Sequence, residues 1–305
     1  MATQAEKYTG PMRFAHRGVA QEAPENTIGA FRAVTDRKYE GIEIDIRRSA
    51  DGEIIVAHDS NFTRMTLGHP TGFRNDRISE LTWEQIESIQ LPFANHLLPV
   101  DLPPYSEVES MATVPPLVMG QCDGLDYQTA LAKDKRMAHL MRFRDFDAWL
   151  AGQPCKPTVE IEVKAPGMMK RMRQLLVDSE NITSYILFSG VPEYIREIQE
   201  EFSDMKKPEG LRLGANIRRL TEENKKHVDA MDLYEVGLNA EEFSEKDIEW
   251  LHDRDIQILS NLGDYPAWWE KLCTLDILGF KTNYPEAYTK WWMKTKGGCR
   301  ETPEK

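Results

Sequence analysis

From Lys156 onward, short β-branched and aliphatic runs alternate with amphipathic stretches, a rhythm that predicts strands separated by helices. Strands are expected at Thr158–Lys164, Ser184–Phe188, Leu211–Ala215, Leu233–Leu238, Ile256–Ser260 and Ile277–Lys281. Helices are expected at Met169–Glu180, Pro192–Phe202, Thr221–Met231, Glu245–Asp255 and Tyr265–Leu275. Pro192 and Thr221 suit helix starts: a first-turn proline gives up no hydrogen bond, and a threonine hydroxyl can accept one from a first-turn amide. Two earlier apolar runs, Met12–Ala15 and Gly41–Ile46, complete a set of eight strand units. Eight in this order predict an α/β fold of the (β/α)8 TIM-barrel type over an open doubly wound sheet.

Asp51-Gly52 followed by Glu53–Ala57 reads as a hairpin returning from the second strand, which would carry His58 back over the barrel mouth. From about Leu91 to Leu140 the rhythm breaks, with proline punctuation at Pro92, Pro99, Pro103, Pro104, Pro115 and Pro116. A structureless loop of that length does not suit a compact domain, so residues 91–140 are expected to form a small insertion subdomain over the active face. Gly297-Gly298 and the charges after them predict a flexible tail at 295–305. No internal repeat stands out, and the 305 residues suit one barrel domain with an insertion.

A hydrophobic fraction of 41% supports one sizeable core, and no run reaches the length of a membrane span. The segment Met1 to Tyr8 lacks the apolar centre of a secretory signal, so a cytoplasmic protein is expected. Cys122, Cys155, Cys273 and Cys299 show no metal or redox spacing and read as free thiols of a reducing compartment. The formal charge of −12 argues against nucleic acid, whose binding rests on clustered Lys and Arg. It also repels phosphate anions at long range, so an enzyme acting on them needs local positive charge from a metal ion and placed cations.

Chemistry gathers around two histidines. His16 follows Phe14-Ala15 and His58 follows Ile54–Ala57, each at the end of an apolar run and before a charged residue. One such histidine alone is more often a hydrogen-bonded structural residue; two of them flanking a carboxylate pair make that reading the weaker one. Side chains alternate along a strand, so Glu43 and Asp45 share one face, and Glu160, Glu162 and Lys164 share another. Barrel strands are covered by helices outside and packed inside, leaving the C-terminal rim as the natural place for these charges. Converging carboxylates suit a hard divalent cation, Mg²⁺ or Ca²⁺, and no Cys/His cluster competes for zinc. Arg17 and Lys164 would then meet phosphate oxygens, and two histidines can exchange protons at neutral pH, the set that phosphodiester cleavage requires.

The run His16-Arg17-Gly18, Pro24-Glu25-Asn26-Thr27, Ala30-Phe31, Gly41–Asp45, Asp51-Gly52 and His58-Asp59 closely resembles the glycerophosphodiester phosphodiesterase family. Glu162-Val163-Lys164 is similar to that family's Glu-Ile-Lys segment, and Thr282-Asn283-Tyr284-Pro285 to its closing Thr-Asp-Tyr-Pro. The resemblance implies a distorted TIM barrel that hydrolyses a glycerophosphodiester to a glycerol phosphate and an alcohol with a divalent metal. It makes His16 and His58 the acid/base pair, Glu43, Asp45 and Glu162 the metal ligands, and Arg17 and Lys164 the phosphate contacts. Glu25 would position a histidine or the metal surroundings, against the plainer role of capping a helix that starts near Asn26. Glu160 has no counterpart and is expected beside the ligands as a supporting residue.

Two departures concern the substrate: Asn283 stands at the family's usual Asp, and Ser260-Asn261-Leu262 replaces Trp-Thr-Val-Asn, removing an aromatic wall of the alcohol pocket. The mechanism the resemblance implies is substrate-assisted, a neighbouring hydroxyl attacking phosphorus to give a cyclic phosphate, with His58 taken as the acid. Alternatives are a sugar (opine-type) phosphodiester as substrate, or a non-catalytic barrel that senses phosphate ligands. Trp268-Trp269 and Trp291-Trp292 fit helix packing or a contact between copies in a homo-oligomer, and Asp123, Asp126 and His139 fit solvated surface better than substrate contacts.

Overall fold

The computed structural model describes residues 8–20, 22–66, 72–89, 91, 96–97, 119–120, 139–204, 210–261 and 263–295. In chain order its strands are β1 (Met12–His16), β2 (Gly41–Arg48), β3 (Ile54–Val56), β4 (His96–Leu97), β5 (Met119–Gly120), β6 (Met141–Arg142), β7 (Thr158–Val163), β8 (Tyr185–Phe188), β9 (Arg212–Arg218), β10 (Glu235–Leu238), β11 (Gln257–Ser260) and β12 (Gly279–Thr282). Parallel pairing runs from β2 through β7 to β12, and β1 closes the ring by pairing with both β2 and β12. The expected eight-stranded parallel barrel is therefore formed. Register across β2 and β7 sets Glu43 beside Glu160 and Asp45 beside Glu162.

The expected hairpin is also present. β2 runs past the barrel and is met by β3 in antiparallel register, Arg48 opposite Ile54 and Ile46 opposite Val56. β6 then pairs antiparallel with β3. Beneath this flap Phe62, Met65, Ile78, Leu81, Ile86 and Leu140 form a satellite core. Of residues 91–140, the antiparallel pair β4–β5, Leu91 and His139-Leu140 are described. The insertion subdomain, with Asp123 and Asp126, otherwise lies outside the described residues, as do Cys122, Cys299 and the tail beyond Thr295.

Helices cover the outside by stripes of the right period. Met169–Val177 buries Met169, Met172 and Leu176, and Pro192–Phe202 buries Ile195, Ile198 and Phe202. Several expected helices end early: Glu245–His252 stops short of Asp255, which takes a left-handed φ of 56° that no continuing helix allows. The tryptophan pairs are resolved as packing. Trp268, Trp269 and Trp292 are buried, and Trp269 sits 5.5 Å from Tyr288 and 5.8 Å from Trp291, ring centre to ring centre. No helix among the described residues is long and apolar enough to cross a membrane.

Candidate active site

β1 ends in a turn that aims two consecutive side chains at the barrel mouth. Arg17 (φ 62°) and Gly18 (φ 83°) both take left-handed backbone, and a Cβ on Gly18 would lie 2.7 Å from the Ala30 Cβ, so glycine is required for the turn to pack on the first helix. Asn26 (φ 57°) donates its backbone N–H to the Arg17 carbonyl at 3.0 Å and its amide to Asp45 Oδ2 at 3.2 Å. The first helix begins at Ile28 with Thr27 as its cap residue, so Glu25 does not cap it. Glu25 instead accepts from Arg17 Nη1 at 3.0 Å and from both Nη atoms of Arg64 at 2.6 and 2.8 Å.

Glu43, Asp45 and Glu162 place carboxylate oxygens within 4.8 Å of one another. Glu43 Oε1 and Asp45 Oδ1 are buried with no hydrogen-bond partner, an arrangement that costs free energy unless a cation satisfies it. All-oxygen, anionic and partly orphaned, this set fits a hard divalent ion. Lys164 Nζ lies 2.7 Å from Glu162 Oε2 and 3.4 Å from Asp45 Oδ1, and Arg17 Nε lies 3.4 Å from Asp45 Oδ2. Burial disfavours charge on Asp45, yet Arg17 and Lys164 outweigh it and lower its pKa to about 2. Glu43 is pushed well above the usual carboxylate range by burial and by the neighbouring charges of Asp45 and Glu162.

Each histidine is held by a chain of side chains. His16 Nδ1 is 2.8 Å from Asn283 Oδ1, and the Asn283 amide donates to Asp264 Oδ2 at 2.6 Å. Asp264 Oδ1 accepts from the Asn283 N–H at 2.8 Å and from the Thr282 hydroxyl at 2.9 Å. A carboxylate can only accept, so the Asn283 amide nitrogen faces Asp264 and its oxygen faces His16; Nδ1 of His16 is then the protonated nitrogen and Nε2 carries the lone pair. Nε2 looks toward Glu43 Oε2, 3.8 Å away. Burial, reinforced by Arg17, lowers the His16 pKa well below its ordinary value and keeps the ring neutral. His58 Nδ1 is 2.7 Å from Asp59 Oδ1, and Asp59 Oδ2 accepts from Arg64 Nε at 2.7 Å, which links His58 back to Glu25.

A family profile described as the Glycerophosphoryl diester phosphodiesterase family matches residues 16–286, which contain every one of these groups. The chain belongs to that family. Among curated relatives, glycerophosphodiester phosphodiesterase 1 of Bos taurus is 43% identical over 89 residues, 29% of this chain and 25% of that protein. A glycerophosphodiester phosphodiesterase of Caldanaerobacter subterraneus is 37% identical over 75 residues, 25% of this chain and 28% of its own. The matched stretch is thus about a quarter of each relative. Whole-barrel likeness comes from solved structures: an Oleispira antarctica phosphodiesterase in complex with the product sn-glycerol-3-phosphate superposes with a TM-score of 0.67 at 13% identity, covering 92% of this chain and 96% of that one. A glycerophosphodiester phosphodiesterase of Thermotoga maritima gives 0.60 at 17% identity, over 93% and 99%.

Of the residues singled out in this family member from its sequence, His16, Arg17, Glu25, Glu43, Asp45, His58, Glu162 and Lys164 lie at one end of the barrel, joined by the contacts above. Glu160 stands beside Glu43 in the β2–β7 register and accepts from Lys281 Nζ at 2.8 Å through its Oε1. His139 is half-buried at the edge of a separate cleft with Trp83 and Trp149. The Ser260-Asn261 departure is a polar rim: Asn261 donates its amide to Asn216 Oδ1 at 3.0 Å and to Asn239 Oδ1 at 2.8 Å; Leu262 lies outside the described residues. Sequence reading missed Arg64, Asn239 and Asp264, which lie in loops whose spacing carries no periodic signal, and Asn216 in β9.

Proposed function

We propose that this chain hydrolyses a glycerophosphodiester to a glycerol phosphate and an alcohol with a divalent cation. The observation that carries the reading is the partly orphaned cluster of Glu43, Asp45 and Glu162, flanked by Arg17 and Lys164 and lying between His16 and His58. The Oleispira structure, with sn-glycerol-3-phosphate as its product, supports the substrate class. The three carboxylates would hold Mg²⁺ or Ca²⁺, and the ion would supply Lewis-acid charge to the phosphate. Arg17 and Lys164 hold the non-bridging oxygens, the first through a planar fork and the second as a point charge.

His16, neutral with its lone pair on Nε2, takes the proton of the glycerol hydroxyl next to the phosphoester carbon. That oxygen bonds to phosphorus, the bond to the alcohol breaks, and His58, oriented by Asp59, donates a proton to the leaving oxygen. Water then opens the cyclic phosphate, its hydroxyl going to phosphorus and its proton to the ring oxygen, with the histidines exchanging roles. The cytoplasmic setting belongs to the same reading; Cys155 is exposed and the Cys273 thiol donates to the Glu270 carbonyl.

Phosphorus NMR of glycerol and sugar phosphodiesters incubated with the protein and Mg²⁺ or Ca²⁺ tests this directly. Glycerol phosphate should appear and chelator should stop it; turnover of sugar diesters alone would replace the substrate assignment. Alanine at Glu43, Asp45 or Glu162 should abolish metal binding in calorimetry as well as turnover, since each removes an anionic ligand from one small site. Full activity of all three variants in excess chelator would sink the metal role.

A further inference from the structure

Lys164 borders a second cavity. A cleft of about 400 Å³ is lined by Arg47, Arg48, Arg77, Lys164, Ser60, Ser79 and Tyr194. Four cations and no carboxylate line it among the described residues, in a chain whose formal charge is −12. Arg48 and Arg77 are exposed and take part in no ion pair among the described residues. Arg47 follows Asp45 by two along β2 and is pinned at the boundary with the active site, Nε donating to the His58 carbonyl at 2.7 Å and Nη1 to the Lys164 carbonyl at 3.2 Å. The Ile78 N–H donates to the Ser60 carbonyl at 2.9 Å, which ties the segment bearing Arg77 to the loop that carries His58.

We propose that this cleft binds a phosphate monoester carried on the leaving alcohol, making the preferred substrate a phosphodiester with a second, terminal phosphate. The inference rests on the hydrolysis proposed above, in which His58 protonates the leaving oxygen; the alcohol therefore departs by the loop that bears His58, whose Ser60 lines the cleft and whose His58 carbonyl is held by Arg47 of the cleft. A monoester carries close to two negative charges at neutral pH, about −1.5 to −2, and offers acceptor oxygens to forked guanidinium donors. The net negative charge of the chain repels such a group at long range, so the clustered cations select for it by placement. The reaction is otherwise the same hydrolysis: the diester P–O bond breaks, and the products are glycerol phosphate and the phosphorylated alcohol.

Steady-state kinetics on glycerophosphoglycerol and on its terminal phosphate monoester, for the full chain and for R48Q/R77Q, decide the matter. The natural chain should favour the phosphorylated diester by about tenfold or more in kcat/KM. R48Q/R77Q should lose that preference through KM alone, its kcat and its rate on glycerophosphoglycerol staying at the natural level. Equal kcat/KM for both diesters, or a preference that survives in R48Q/R77Q, overturns the inference while leaving the proposed hydrolysis in place. Tight binding of inorganic phosphate that R48Q/R77Q weakens, with both diesters hydrolysed alike, assigns the cleft to a free anion and also overturns it. If neither diester is hydrolysed, the proposed function fails separately, and calorimetry still reads the cleft: binding of the phosphorylated diester must weaken in R48Q/R77Q, and equal binding rejects it.

Discussion

At the scale of single residues, the orientation of His16 depends on groups outside the carboxylate cluster. Asp264 is fully buried, and burial pushes its pKa up, yet three donors converge on it: the Thr282 hydroxyl, the Asn283 N–H and the Asn283 amide. Through Asn283 it selects the tautomer of His16, so it is a positioning residue. D264N should lower kcat by about 10- to 100-fold with metal affinity unchanged, because the amide of Asn283 loses its anchor and can present nitrogen to His16. Equal kcat for D264N and the natural chain would show that His16 needs no such support. His16 and His58 themselves are separable: each alanine variant should fold, bind metal and lose about 10²–10⁴-fold in turnover. A p-nitrophenyl phosphodiester, whose leaving group needs little protonation, should partly rescue H58A and leave H16A inactive. The reverse pattern would exchange the acid and base assignments.

Between elements, Glu25 joins the turn after β1 to the flap that carries His58, through Arg17 on one side and Arg64 with Asp59 on the other. Burial works against its charge, but Arg17 and Arg64 outweigh it and hold its pKa below the ordinary 4.5. A carboxylate depressed in this way contributes stability above its unfolded value, and that contribution is lost as pH falls through the folded one. E25Q should therefore unfold more easily at neutral pH, by about 3–5 kcal/mol for a broken buried pair, and its Tm should fall less than that of the natural chain as pH drops below about 4.5. Parallel pH profiles would show that Glu25 is not the linking charge. This link was half legible in sequence. Strand order, the Asp51-Gly52 hairpin and the strand faces of Glu43, Asp45 and Glu162 follow from alternation and turn chemistry, which are local. The partners of Glu25 were not, because Arg64 lies 39 positions away in a loop and meets it only when the flap folds over the barrel. The partner of Glu160 was hidden in the same way: alternation puts it on the face of Glu162 and register beside Glu43, but Lys281 lies 121 positions away and a period of two does not report it.

For the whole molecule, the barrel has to close over buried ionisable groups. Glu160 of β7, beside Glu43 in register, Glu235 of β10 and Lys281 of β12 are nearly or fully buried, with Lys281 Nζ 2.8 Å from Glu160 Oε1 and 4.4 Å from the ring centre of Phe188. Burial pushes both carboxyls upward, Glu235 adds to the rise at Glu160, and Lys281 opposes it; burial likewise disfavours charge on Lys281, and the surrounding glutamates more than offset that. Space for the layer is made in the backbone, since a Cβ on Gly214 would lie 2.7 Å from Glu235 Cγ. One lysine thus serves several strands of the ring at once. K281M should destabilise the fold by about 3–5 kcal/mol in urea unfolding, because it removes the cation and leaves Glu160 and Glu235 buried side by side without a counter-charge. K281M/E160M should recover part of that loss, since the two apolar side chains need no counter-charge and Glu235, the carboxyl left in the layer, is pushed by burial toward its neutral form. A K281M variant as stable as the natural chain, or a double variant no more stable than the single one, would mean that Glu160 is protonated and neutral and that the layer holds the ring by packing rather than by charge.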